Sequence, residues 1–268
     1  MRIHYGKAEV SVYRSDGVAE LWGAEVELDV FGDNFAPAYT AGDNSMVIAT
    51  DTMKNFVHAA ALDFGGDSPE AFAEHLGGRF LETYDHVERI AVRVGELPFA
   101  RRGPALFQRL HDDRGIIELS LGREGVLEHR CGREGIQLVK ITGSSFASFA
   151  RDSYTTLPEV RDRPLFVHLD LHWRYADWSR RVRAEDVRDS IAATFSDFVS
   201  MSIQHLVHEM GTRALRQFPE LDEISFEAQN RLWDTARVSE ADERVKIFTD
   251  PRPPYGMIGL ELRRADLL

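Results

Sequence analysis

Cysteine is almost absent from this 268-residue chain; Cys131 stands alone. One thiol cannot close an internal disulfide, so a cross-linked secreted scaffold is excluded and a reducing compartment suits the chain. No apolar run approaches the ~20 residues that a membrane-spanning helix needs. Positive charge is in deficit too: 44 acidic side chains face 32 basic ones, a net charge of −12, which argues against a nucleic-acid-binding surface. The stretch Met1 to Lys7 has no apolar core of the kind a secretory signal carries, and no low-complexity tract or linker interrupts the rest. What remains is an ordinary globular composition, 43% hydrophobic and 28% charged, long enough to bury one large core or two small ones.

The apolar residues fall into two periods. Val10 and Val12, then Val26, Leu28 and Val30, alternate as strand residues do, with Asp16-Gly17 between them as a turn. Met53, Phe56, Val57 and Ala60 repeat at helical spacing, and that helix is expected to end near Gly65-Gly66. Ser68-Pro69 has the form of a helix start, a hydroxyl cap followed by proline in the first turn. Phe72, Leu76, Phe80 and Tyr84 mark the buried face of the helix it opens. Ile90, Val92 and Val94 alternate again, as do Ile117, Leu119 and Leu121, so the first half reads strand, strand, helix, helix, strand, strand. The second half has a similar outline. Residues 136–141 read as a strand. Val167, Leu169, Leu171, Trp173 and Tyr175 form one face of another, with His168, Asp170, His172 and Arg174 on the opposite face. Residues 184–218 read as helical, and strands follow near 221–226 and 256–262. Antiparallel strands with helices on one face give an α+β fold.

One junction stands out. Met46-Val47-Ile48-Ala49 reads as strand-like and gives way at Thr50-Asp51 to the helical pattern. A helix start offers free backbone N–H groups and the positive end of the dipole, which suit an anion. On that pattern alone Asp51 reads as a plain N-cap, since caps far outnumber anion sites. His168, Asp170 and His172 are metal-ligating types on one strand face. Residues spaced two apart along a strand lie too far apart for easy three-way chelation, however, and a solvated or inter-chain polar face accounts for them. His205 and His208 read as helix-surface residues. No metal site is expected.

The string around Thr50-Asp51 resembles the Thr-Asp segment of the urate oxidase (uricase) family, and further segments extend the resemblance from Tyr5 to about Tyr255. Tyr5-Gly6-Lys7 resembles the family's N-terminal motif. Tyr154-Thr155-Thr156-Leu157, followed by Asp162-Arg163, resembles another. Ile203-Gln204 is similar to the family's Val-Gln pair, and Arg252-Pro253-Pro254-Tyr255-Gly256 resembles its Arg-Pro-Tyr-Gly run with one residue inserted. Gln229-Asn230-Arg231-Leu232 falls where the family carries Asn-Lys-His, so Leu232 stands where the relay histidine is usual, and no histidine follows His208.

The resemblance implies the tunnelling fold, with two antiparallel ββααββ-like repeats, residues 1–134 and 135–268, whose sheets close into a barrel in a homotetramer. It implies cofactor-free oxidation of urate in purine catabolism, with O2 as co-substrate and neither metal nor organic cofactor. Lys7 and Thr50 are then catalytic. Thr50, Asp51, Phe146, Leu157, Arg163, Ile203, Gln204 and Asn230 bind substrate, with Lys7, Thr50 and Asp51 from one chain and the others from its neighbour. Each residue type fits its role. A lysine among polar groups in a dry site moves protons near neutral pH, a phenyl ring stacks on a flat heterocycle, and a guanidinium fork matches paired acceptors. Read alone, Lys7 is an exposed strand lysine, Phe146 and Leu157 are core, Arg163 is a surface ion pair and Gln204 is a polar helix position. Leu232 leaves open a related enzyme acting on another purine-like heterocycle, or a non-catalytic purine-binding relative. The carboxyl end, Ala265 to Leu268, is not a peroxisomal Ser-Lys-Leu signal, and a bacterial cytoplasm is expected.

Overall fold

The computed structural model describes residues 3–66 and 68–267. Met1 and Arg2 of the leader reading and Leu268 of the tail reading lie outside the described residues. The chain divides into two compact units, Met1–Gly132 and Arg133–Leu268.

The first unit begins with an antiparallel hairpin of β1 (His4–Ser15) and β2 (Leu21–Phe31). Its turn is made by Asp16, whose Oδ1 accepts the backbone N–H groups of Val18, Ala19 and Glu20 at 2.9, 2.8 and 2.8 Å, and by Gly17, whose φ of +74° suits a residue without Cβ. The hairpin carries a bulge. Lys7 pairs with Leu28 but Val10 pairs with Val26, so β1 holds one extra residue, and Glu9 takes it up at φ 57°. The bulge changes which side chains share a face. Tyr5, Lys7, Val10 and Val12 all lie opposite Val30, Leu28, Val26 and Ala24, on the face that those buried residues present.

After a short α1 (Ala36–Ala41) come α2 (Thr50–Asp63) and α3 (Pro69–Thr83). Then follow β3 (Arg89–Glu96), a small hairpin of β4 (Phe99–Arg101) and β5 (Phe107–Arg109), and β6 (Arg114–Gly122). The sheet order is β1-β2-β3-β6, followed by β7 (Gly125–Lys140), the strand that runs from the first unit into the second. Helix α2 packs on β1, and α3 on β3 and β6. Met53, Val57, Phe72, Leu76 and Phe80 are fully buried, as are Val26, Val30, Ile90 and Val94 on the strands. Each such side chain contributes about 1.5–3 kcal/mol through burial. The Ser68 cap is as read: its Oγ accepts the Ala71 N–H at 3.2 Å with Pro69 in the first turn.

In the second unit the order is β7, β8 (Leu165–Tyr175), β9 (Leu221–Asn230) and β12 (Gly256–Arg263), with β10 (Asp234–Val238) and β11 (Lys246–Thr249) forming a separate hairpin. Helix α5 (Ile203–Gln217) packs on β9 and β12 and against α4 (Ala184–Asp197). Among the described residues no helix is long and apolar enough to cross a membrane.

Several expectations are corrected. Residues 184–218 are two helices, because the chain leaves helical geometry at Phe198 and a Ser202 cap starts α5 anew. Met46–Ala49 is a turn and irregular backbone rather than a strand, with the Val47 N–H bonded back to the Asn44 carbonyl at 3.0 Å. Helix α2 does end near the glycines, at Asp63. The His168–Asp170–His172 face is not uniformly solvated: His172 is only 6% exposed, with Nε2 3.5 Å from the Glu134 carboxylate.

Candidate active site

In the first unit, Lys7, Thr50 and Asp51 come together by construction. Lys7 is part-buried on the β1 face against which α2 packs, and α2 begins at Thr50. The N-cap is Ala49, with no side-chain cap bond, so Asp51 is not the cap that its position suggested. Its carboxylate instead accepts from Lys54 and, at 3.2 Å, from Asn55 on the next turn. Lys54 holds the Asp51 carboxyl below the usual carboxylate range, and the Lys7 ammonium adds to the depression. Thr50 and Asp51 are both exposed, and no side chain blocks the helix start by capping it. The geometry leaves helix-terminal N–H groups beside a lysine, a setting for an anion.

The glycine between Tyr5 and Lys7 has a steric cause. A Cβ on Gly6 would land on the carbonyl oxygen of Leu28 across the hairpin. The sequence assigns Tyr5 no role beyond opening that motif, yet its hydroxyl accepts the Ile48 N–H at 2.8 Å, two residues before Thr50. Burial pushes the Tyr5 phenol up, against the opposing pull of that bond.

In the second unit, Phe146, Arg163, Ile203 and Gln204 are gathered by backbone bonds between loops. Phe146 and Val160 exchange both N–H···O bonds, at 2.7 and 2.9 Å. The Arg163 N–H reaches the Ser144 carbonyl at 2.9 Å, and Ser145 and Ser200 join the same loop to the approach of α5 (2.9 Å). Asp162 pins the loop's start, accepting from Thr142 Oγ1 at 2.6 Å and from the Gly143 N–H at 2.8 Å. These bonds, the Thr142 hydroxyl first, hold its carboxyl below the usual range. The Arg163 guanidinium carbon then lies 5.9 Å from the centre of the Phe146 ring, and that ring stacks on Phe149 at 4.9 Å and 10°. Burial pushes the Arg163 guanidinium down from its ordinary value.

Two of the expected site residues carry buried polar atoms that nothing satisfies. Arg163 Nε and Asn230 Oδ1 have no hydrogen-bond partner in the structure, and such atoms in a folded protein call for a ligand or water. Asn230 pairs with Val167, on the buried face of β8, whereas Gln229 pairs with His168 on the other face. Ile203 and Gln204 are the first two residues of α5, Ile203 buried and Gln204 exposed, with Ser202 Oγ accepting the His205 N–H at 3.1 Å. Leu157 is 45% exposed on its loop rather than core. Leu232 is part-buried just beyond β9. Among the described residues no cluster of His, Cys, Asp and Glu is arranged to hold a metal.

The uricase family model matches residues 3–113 and 129–259. The chain is 35% identical to the uricase of Halalkalicoccus jeotgali, covering 99% of each. It is also 35% identical to the uric acid degradation bifunctional protein PucL of Bacillus subtilis, covering 98% of this chain. It spans 61% of the length of that relative and of its Bacillus sp. TB-90 counterpart. The crystal structure of the Bacillus sp. TB-90 urate oxidase superposes with a TM-score of 0.90 at 33% identity, covering 98% of this chain and 99% of that one. Antiparallel strands carrying paired helices, in the arrangement of these urate oxidases, define a tunnelling-fold protein. The chain belongs to the uricase family.

Proposed function

We propose that this chain is a cofactor-independent urate oxidase that converts urate, O2 and water to 5-hydroxyisourate and H2O2. The observation that carries the reading is the unpartnered Arg163 Nε beside the Phe146 ring, a half-buried guanidinium next to an aromatic face, in a family member. Urate enters as an anion. Its ring stacks on Phe146 against the apolar Leu157 and Ile203, while Arg163 and Gln204 hold its polar edge. Lys7 and Thr50 take a further proton, with Asp51 holding the lysine's field at the helix start. The electron-rich purine then gives two electrons to O2 above Asn230, H2O2 leaves, and water supplies the new hydroxyl. The substrate is itself the reductant, which is why the reaction needs neither metal nor organic cofactor.

Lys7, Thr50 and Asp51 act with the Phe146–Asn230 set of a neighbouring copy, so the working form is a homotetramer whose sheets close into barrels, each chain giving two tunnelling-fold repeats, 1–134 and 135–268. The acidic chain acts on a small molecule in the cytoplasm, without nucleic acid or membrane. Leu232 favours two other readings: with no histidine there, the same clamp serves a different purine-like heterocycle, or it binds without turnover. Purified metal-free protein should consume urate and O2 and release H2O2. Tight urate binding without loss of its near-ultraviolet absorbance would favour the binder, and absence of binding the other heterocycle.

A further inference from the structure

We propose that Tyr5 is a positioning residue whose hydroxyl sets Thr50 against Lys7, with His86 holding the same segment from a second side. The proposal rests on the reading of Lys7 and Thr50 as the proton-handling pair.

The segment that delivers Thr50 has no ladder to hold it. Residues 47–49 lie in neither helix nor strand, and the backbone bonds of the chain before them are local, Val47 to Asn44 and Asp43 to Pro37. Side chains fix it instead. The Tyr5 hydroxyl accepts from Ile48 N at 2.8 Å, and His86 Nε2 donates to the Met46 carbonyl at 3.0 Å. Both anchors rest on one support. Phe35, 1% exposed, meets the Tyr5 ring edge-on at 5.1 Å and the His86 ring at 6.2 Å, and Asn34 Nδ2 holds the His86 carbonyl at 2.9 Å. Tyr39 closes the frame by donating to the His4 carbonyl at 3.0 Å, next to Tyr5 on β1.

Tyr5 and Lys7 sit on the same face of β1, opposite Val30 and Leu28, with Gly6 between them held tight against β2. One strand therefore carries both the lysine and the hydroxyl that holds the chain two residues before Thr50. Packing of α2 on β1 brings Thr50 to the lysine's side of the hairpin, and that bond with its His86 counterpart fixes the segment that leads into the helix. A displacement of about 1 Å at a reacting pair costs on the order of 10²-fold in rate.

Tyr5→Phe keeps the ring on Phe35 and removes only the hydroxyl. The expected result is a kcat for urate lower by about 10- to 100-fold with KM nearly unchanged, because the ring clamp lies elsewhere; His86→Ala should move kcat in the same direction. In a Thr50→Ala background, Tyr5→Phe should bring no further loss, since the residue it positions is gone. An equal loss in both backgrounds, or a rise in KM alone, overturns the proposal. Amide exchange supplies a readout independent of turnover: the Ile48 N–H should lose protection in Tyr5→Phe while α3 keeps its own. Unchanged kcat in Tyr5→Phe, in a protein that turns over urate, removes the proposal and leaves the functional reading intact. A parent protein inert toward urate removes that reading, and retained Ile48 protection then removes the anchoring as well.

Discussion

Arg163→Met is expected to stabilise the protein while weakening its hold on urate. The guanidinium is half-buried, its Nε has no hydrogen-bond partner, and burial already disfavours its charge. An unsatisfied buried donor costs about 1–3 kcal/mol. Partial exposure places Arg163 at the low end, near 1 kcal/mol by the same measure. A methionine of similar length fills the space beside Phe146 without that cost, so unfolding should move up by about 2–4 °C for a chain of this size. Binding moves the other way. Each charge-assisted hydrogen bond from the fork to the purine is worth about 1.5–3 kcal/mol. Losing a pair raises KM by roughly 10²-fold or more. Calorimetric unfolding at fixed protein concentration, run beside urate kinetics, reads both signs. A lower melting temperature together with an unchanged KM would refute the reasoning, since it would make Arg163 a structural residue satisfied in the fold.

Other perturbations read other parts of the account. Gly6→Ala should push β1 off the Leu28 carbonyl and cost on the order of 2 kcal/mol, with urate turnover falling further than stability alone explains; circular-dichroism melts and rates check it. Phe80→Ala removes a fully buried ring packed on Phe56 and Tyr84 at 5.0 and 4.7 Å. It should cost about 3–5 kcal/mol, measured by denaturant unfolding, with KM for urate unchanged in whatever protein stays folded. Asp162 is held below the usual carboxylate range by Thr142 and Gly143. The stability it lends the Phe146 loop is therefore present above the ordinary carboxylate value and lost as pH falls through the lowered one. KM should rise on that acid side in the parent protein, and Asp162→Ala should show the raised KM at every pH.

The sequence made the local elements legible where one signal dominated. Ser68-Pro69 was readable because cap and proline act within one turn, and the Val167–Tyr175 face because its alternation is long. Residues 184–218 misled because apolar spacing continues through Phe195 and Phe198 to Ile203 and Leu206, while the break is made by a backbone bridge from Ser144 to Ser200. The first part of β7 and the β4–β5 and β10–β11 hairpins are exposed or only part-buried, so no full burial stamped a period on them. For the site, the residue types of Lys7, Thr50 and Arg163 were visible but their neighbours were not. The bulge at Glu9 that turns Lys7 toward α2 depends on register with β2, and the Tyr5–Ile48 bond spans 43 positions. His168 pairs across from Gln229 rather than Asn230, so by strand parity it faces away from the position that a relay histidine would need.

The central claim is turnover by a chain that carries Leu232 where a histidine is usual in the family. The direct measurement is urate absorbance and O2 uptake together, on metal-free protein, beside a Lys7→Met variant. The account predicts matched consumption of urate and O2 by the parent protein. It predicts loss of that turnover in the variant, with urate still bound. Bound urate whose absorbance never falls in the parent protein, or equal rates in both proteins, would contradict it.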